Sequence, residues 1–409
     1  MKYYIVLFLC FLQGFGQHKI DKIQFEGLKK NSETFLTQLI QTKQDAVIDT
    51  VLLQQDIKKL KRLTGISNAT YKIVGATLVF DIEENHTLIP AINIWSVDDT
   101  FSYKLGLYEY NFAGRNITLG GYYQYNGESS FGANLFAPYL LSNKLGVAIN
   151  AQQWSSKEPF YYTDIPTDYI YKNSGIEAFI TYERNFKNNF RAGLNYSKDT
   201  YEYQSGHLDA TIAERIEVNK FILKALYEYN TLDFNYQYVK GVKNVFTLQQ
   251  HFTDNDFQSD FLAWWNDIML YKTLGSKGNF ASRLRVGLAT NTSSVFAPFV
   301  VDNNVNIRGV GNLIDRGTGS LVLNAEYRHT LYEKSWFVLQ GNTFVDMGTW
   351  RSPGGHLSDF IEFDKGQLYS GLGIRLIHKY IFNAIFRLDY GYSFANQSGG
   401  IVFGIGQYF

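Results

Sequence analysis

The sequence predicts a mainly β protein: a 16-stranded antiparallel transmembrane β-barrel preceded by a small α+β (β-α-α-β-β) domain. Three observations carry this expectation. From about residue 89 onward, apolar and polar residues alternate with period two in a long array of segments, the mark of strands with one apolar and one polar face. The composition suits such strands and their small-residue turns: 30 Tyr, 32 Phe and 35 Gly against 6 Pro, with a slightly negative mean hydropathy of -0.19. Past the first residues no run of 18 apolar side chains exists, so an exported chain that enters a membrane must cross it as a closed barrel.

Residues 1–16 read as a secretory signal. Lys2 supplies the charge, Ile5 to Leu12 the apolar core, and Gly14 and Gly16 the small residues at the cleavage site. The alternative, a membrane anchor, needs about 20 apolar residues. Cys10 is the sole cysteine and leaves with the signal, so the exported chain holds no disulfide and no thiolate metal site. Lys+Arg and Asp+Glu balance at 38 each, which gives no basic field for nucleic acid.

Residues 17–88 form the small domain. His18 to Phe25 alternates as a strand and Gly27 turns the chain; Asn31 or Ser32 caps a helix through about Thr42. Asp49 caps a second helix, with Val51, Leu52, Ile57, Leu60 and Leu63 at helical spacing and Gly65 closing it. Two strands, Thr70 to Val74 and Thr77 to Ile82, flank Gly75-Ala76.

Residues 89–409 form the barrel. Candidate strands fall near 91–98, 101–110, 115–126, 129–138, 143–154, 174–184, 188–203, 219–230, 236–252, 257–273, 278–291, 319–332, 335–349, 366–378, 380–394 and 400–408. The clearest is 380–394, where Tyr380, Phe382, Ala384, Phe386, Leu388, Tyr390, Tyr392 and Phe394 share one face and Asn383, Arg387, Asp389 and Ser393 the other. Apolar belts edged by aromatics fit lipid. A soluble β-sandwich also alternates, but its strands usually run to about 5–6 residues. Short turns at 111–115, 139–142, 185–188 and 332–335 alternate with longer loops at 155–173, 204–218 and 292–318, the arrangement of a membrane barrel.

Between Asp302 and Trp350 lies the stretch richest in chemistry. Ile307-Arg308-Gly309-Val310-Gly311 sits in an Asn/Asp-rich loop, followed by strands whose polar faces carry Glu326 and Asp346. A guanidinium folded into the lumen needs carboxylate partners, and these two can satisfy its donors. The competing expectation leaves Arg308 in solvent and pairs Glu326 with Arg328. The chain ends on a strand from Ile401 through Phe403 to Tyr408 and Phe409, with glycines on its other face.

These features resemble the BamA/TamA superfamily of outer-membrane assembly and translocation barrels, the bacterial surface antigen family. The small domain resembles a POTRA module in its β-α-α-β-β order, its Phe25-x-Gly27 and its closing strand Val79-Phe80-Asp81-Ile82-Glu83-Glu84. Asn111-Phe112-Ala113-Gly114-Arg115-Asn116 is similar to the family's Asn-Phe-x-Gly-x-Gly turn, with Asn116 replacing the second glycine, and Ala137-Pro138-Tyr139-Leu140 to the Pro-Tyr that follows. Arg308-Gly309 matches the pair of the family's sixth loop, with Val310 where an aromatic is usual. Glu326 matches the glutamate of the twelfth strand, and Phe344, Asp346 and Gly348 the Phe-x-Asp-x-Gly of the thirteenth. The resemblance implies a loop latch of Arg308, Gly309, Glu326, Asp346 and Gly348. It also implies a C-terminal recognition strand carrying Phe403, Tyr408 and Phe409.

Enzyme chemistry finds no foothold. Seven His lie scattered at 18, 86, 207, 251, 329, 356 and 378 without metal spacing, and no G-x-S-x-G, phosphate loop or dinucleotide fingerprint occurs. The resemblance implies no cofactor. It implies outer-membrane lipids as solvent, an unfolded β-barrel or secreted client as partner, and accessory periplasmic or lipoprotein subunits. Two roles stay open: insertion of barrels through a weak seam, or two-partner-secretion-like passage of one exoprotein. A diffusion porin is disfavoured by the small domain and the loop motif.

Overall fold

The computed structural model describes residues 19–97, 100–161, 166–208, 213–255, 258–291, 298–301, 306–310, 315–362, 366–382 and 384–407. The segment 1–16 expected to be a signal, together with Gly311, Asn383, Tyr408 and Phe409, lies outside the described residues.

The N-terminal part has the expected element order: β1 (Lys22–Glu26), α1 (Glu33–Leu39), α2 (Thr50–Leu60), β2 (Ile66–Val74) and β3 (Thr77–Glu84). β3 is central, parallel to β1 and antiparallel to β2. Ser32 caps α1 by accepting from the Phe35 N–H, and Asp49 caps α2 by accepting from Val51 and Leu52. Phe35, Leu36, Leu53, Leu60, Leu78 and Phe80 are buried where the helices cover the sheet. Gly27, at φ +83°, lies where a Cβ would run into the Ile82 carbonyl, so the chain turns hard against β3. Several boundaries differ from expectation; β2 starts at Ile66 rather than Thr70, and β3 runs to Glu84 rather than Ile82. β1 starts at Lys22 rather than His18, and α1 stops at Leu39 instead of Thr42. α2 ends at Leu60 with a right-handed cap at Lys61; Gly65 instead leaves room for the crossing side chains of Asn31 and Asn111.

Sixteen strands close the barrel. The first eight are β4 (Leu88–Val97), β5 (Thr100–Phe112), β6 (Ile117–Tyr125), β7 (Ser129–Ala137), β8 (Leu145–Tyr161), β9 (Pro166–Asn185), β10 (Asn188–Gly206) and β11 (Arg215–Asn230). A three-residue strand, β12 (Asp233–Asn235), precedes β13 (Tyr238–Thr253), β14 (Phe261–Leu274) and β15 (Gly278–Ala289). A small hairpin of β16 (Phe299–Val301) and β17 (Asp315–Gly317) stands apart. The last five are β18 (Gly319–Glu333), β19 (Phe337–Arg351), β20 (Gln367–His378), β21 (Ile385–Ser393) and β22 (Ser398–Ile405). Sequential neighbours pair antiparallel, and β22 meets β4 to close the ring.

Alternation assigns the faces. On β10, Phe190, Leu194 and Tyr196 are exposed on the outer wall, whereas Ser197 and Asp199 are buried, the latter inside. On β21, Phe386, Leu388 and Tyr390 face out while Arg387, Asp389 and Ser393 face in. The segment 380–394 is shorter as a strand than expected, because Tyr380–Phe382 is spent elsewhere: His86 donates to the Tyr380 carbonyl (2.8 Å) and accepts from Phe382 (2.9 Å). The expected loop at 155–173 is mostly strand, as is part of 204–218. There β8, β9, β10 and β11 run on past the apolar belt. Their outer face changes from Ile176 and Tyr196 to the pairs Lys172–Glu202, Lys198–Glu217 and Arg215–Glu217, so pairing continues where lipid contact stops.

Candidate functional site

The latch residues converge on one patch of the inner wall. Asn306–Val310 bring Ile307 and Arg308 to 0% exposure, against Tyr369 and Trp350. Arg308 donates to Asp346 three times, from its backbone N–H (3.0 Å), Nε (2.8 Å) and Nη2 (3.0 Å). Its Nη1 donates to Glu326 Oε2 at 2.5 Å and lies 3.7 Å from Asp389, and its guanidinium carbon sits 3.6 Å from the Phe344 ring centroid. Period two explains the convergence: Asn324, Glu326 and Arg328 point inward from β18, and Asn342, Phe344 and Asp346 from β19, with Glu326 opposite Phe344. Asn324 braces the site by donating to Asp346 (2.8 Å) and to the Asn306 carbonyl (2.7 Å).

Glu326 serves more than one cation. Its Oε1 accepts from Arg328 (2.6 Å) and Arg375 (2.9 Å) while Oε2 accepts from Arg308. Both expected pairings of Glu326 therefore coexist. Asp389 accepts from Asn342 (2.9 Å) and Arg387 (3.2 Å). Desolvating ions costs several kcal/mol each, so this network holds only because nearly every charge has an opposite one in bonding range. Two glycines make the space. Gly309 takes φ +90°, and Gly348 leaves its Cβ position 3.0 Å from the Ile307 side chain.

Sequence reasoning did not assign Arg375, Asn342, Asp389, Gly371 or Gly391 to the site, and it noted the glycines of the last strand without linking them to the loop. The inward parity of Arg375 and Asp389 was readable; which strand each would face was not. Phe403 lies on the outer face of β22, half-buried.

The N-terminal part packs onto the turns at one end of the barrel. Arg62 donates to the carbonyls of Phe186 (2.5 Å), Asn230 (3.0 Å) and Leu232 (2.9 Å) and lies 4.4 Å from the Phe186 ring centroid. Lys59 pairs with Glu183 (2.7 Å), which also accepts from the Tyr139 hydroxyl (2.7 Å). Burial, with Glu183 adjacent, pushes that hydroxyl well above its ordinary range. In the turn after β5, Ala113, Gly114 and Asn116 all have positive φ. Asn116 repays its strained backbone: its side chain accepts from the Thr64 N–H (2.9 Å) and hydroxyl (2.8 Å), which a glycine could not do. Gly114 presses on Lys30, and its carbonyl accepts from Ser32 (3.0 Å). A cavity of about 490 Å³ remains between Arg62, Tyr139, Arg191, Glu228, Phe382 and Gln407.

The closing seam is chemically poor. β22 has eight residues, three of them Gly399, Gly400 and Gly404, and β4 carries Pro90. Tyr110 donates to the Thr87 carbonyl (2.9 Å), in line with the Leu88↔Glu109 register. Bonded positions alternate on an antiparallel pair, so Ile89 and Ala91 bond to β5 whereas Leu88, Pro90 and Ile92 turn their backbone toward β22. Proline has no N–H, and the seam loses a donor there.

Comparison with known proteins accords with this architecture. Residues 111–409 match the Omp85 superfamily domain. No curated protein matches in sequence. Among solved structures, BamA from Haemophilus ducreyi lacking POTRA domains 1-3 aligns with 95% of this chain and 84% of its own, at 15% identity and TM-score 0.54. CdiB from Acinetobacter baumannii aligns with 95% and 73%, at 13% identity and TM-score 0.59. CdiB from Escherichia coli aligns with 95% and 76%, at 10% identity and TM-score 0.62. At these identities the likeness is one of fold. The family match spans most of the chain, with the latch loop and every strand of the inner network inside it, and the protein belongs to the Omp85 superfamily of outer-membrane β-barrels.

Proposed function

We propose that this protein is an assembly and insertion factor of the BamA/TamA type, which folds client β-barrels into the outer membrane through its β4–β22 seam. The seam carries the reading. A short, glycine-rich last strand meets a first strand that lacks one donor, whereas β9 and β10 pair along nearly their whole 20- and 19-residue lengths. Once parted, such edges present unpaired N–H and C=O groups to a client strand. The N-terminal domain, POTRA-like and periplasmic, delivers the unfolded client to the barrel by offering its own sheet edge. The charged latch holds the inner wall beside the seam rather than performing chemistry, and the cycle uses no catalytic centre, nucleotide or cofactor. Accessory periplasmic or lipoprotein subunits would dock on the same domain.

A two-partner-secretion-like translocator is the second reading, and the inner wall of β5 to β7 favours it. Tyr108 lies across Gly120 and Tyr122 across Gly132, paving that wall with flat rings past which an extended chain could slide. Depleting the protein and comparing outer-membrane and secreted proteomes separates the readings. Loss of many barrels supports assembly, and loss of one exoprotein supports translocation. Unchanged proteins with altered solute permeability would reject both in favour of a porin.

A further inference from the structure

One cross-strand row links the latch to the last strand. Glu326 lies opposite Phe344, Phe344 opposite Gly371, Gly371 opposite Gly391, and Gly391 opposite Gly400. All occupy inward positions, so β20, β21 and β22 present a trench of bare backbone at the level of the latch. The trench is filled. The Phe344 ring lies over Gly371, where a Cβ would come 2.8 Å from Cε1. The backbone of Arg308 and Gly309 lies over the other two: a Cβ on Gly391 would strike the Arg308 carbonyl, and one on Gly400 would sit 3.2 Å from the Gly309 oxygen. Further ties reach the same strand and the two residues that follow it. Arg375 joins Glu326 to the side chain of Gln407, Arg387 donates to the Gly406 carbonyl (3.2 Å), and Tyr369 bonds Ser398 (3.0 Å).

We infer that Gly371, Gly391 and Gly400 are a seat through which the docked Arg308 loop braces β22, so that release of the latch and loosening of the seam are one event. This rests on the reading of the seam as the working edge. Without the loop, the last strand loses the backbone pressed against its inner face at Gly400, and what remains is its pairing with β21 and β4 and the side-chain ties at Ser398, Gly406 and Gln407. Closely packed backbone does not deform continuously, so the loop is either seated or out.

The test uses the full chain in detergent micelles and needs no client, so its outcome is independent of whether the protein inserts or translocates. Two readouts are taken on Gly391→Ala and Gly400→Val. Trypsin cleavage after Arg308 reports undocking, since that residue is fully buried when seated. Disulfide formation between single cysteines walked along β4 and β22 reports the seam. Gly341→Ala, on the outer face of β19, is the control, and heat-modifiability certifies a folded barrel. Where Gly400→Val fails to fold, Gly400→Ala takes its place. The expected result is cleavage at Arg308 together with a several-fold fall in seam cross-linking, neither occurring in the control. Cleavage with unchanged cross-linking refutes the coupling. Absence of cleavage refutes the seat, whatever the seam does.

Discussion

Asp346 accepts three hydrogen bonds from a single residue, Arg308, one of them from its backbone N–H. The carboxylate therefore fixes the path of the loop as well as the direction of the side chain. Lysine could not reproduce this, because an ammonium lacks the planar fork that spans both oxygens.

Arg308→Ala is expected to undock the loop while leaving the barrel closed. It strips Asp346 of its only guanidinium in bonding range among the described residues, whereas Glu326 keeps Arg328 and Arg375. Breaking a buried pair costs about 3–5 kcal/mol. The strand ladders are untouched, so the heat-modifiable form persists while limited proteolysis of residues 298–310 accelerates. Complete loss of the folded form would contradict this separation of roles.

Glu326→Ala should destabilise the barrel more than Arg308→Ala. It removes the one carboxylate shared by Arg308, Arg328 and Arg375; Arg308 keeps Asp346, but the buried Arg328 and Arg375 lose the charge that lies between them. Urea unfolding of both variants in the same micelles checks the order of their midpoints; a lower midpoint for Arg308→Ala would refute it.

Arg62→Ala should free the N-terminal part from the barrel mouth. The variant loses the donors that hold the carbonyls of Phe186, Asn230 and Leu232, together with the packing on the Phe186 ring. Ion conductance in planar bilayers is expected to rise as the cavity beside Arg62 opens to solvent; unchanged conductance would place the barrier elsewhere.

Glu84 gives the N-terminal part a pH dependence of known sign. Burial opposes its charge, but the N–H groups of Lys29, Lys30 and Asn31 and the Asn31 amide bond it, and the net effect lowers its pKa. A carboxylate lowered on folding stabilises above its unfolded pKa, about 4.3, and that stability disappears as pH falls through the folded value. Wild type should therefore melt above Glu84→Gln at neutral pH, and the two should converge in acid. A gap that persisted below that range would show that charge is not the cause.

The fold was largely legible because alternation is written residue by residue. Phe386, Leu388 and Tyr390 against Arg387 and Asp389 mark two faces without reference to any other strand. Alternation did not give the strand ends. Lys157, Lys172 and Glu217 looked like loop residues because a lipid-facing strand would exclude them, yet they pair with neighbours above the apolar belt. The site was legible where residues share a strand or a motif, as with Glu326, Phe344 and Asp346. Arg375, Asp389, Gly391 and Gly400 were hidden because their meaning depends on the register between strands, which a one-dimensional pattern does not contain.

Locking the seam tests the central claim most directly. A disulfide between β4 and β22, in a chain whose only natural cysteine is Cys10, should abolish folding of a reporter β-barrel into liposomes, and reduction should restore it. Full activity of the oxidised, locked barrel would show that the seam is not where the protein works.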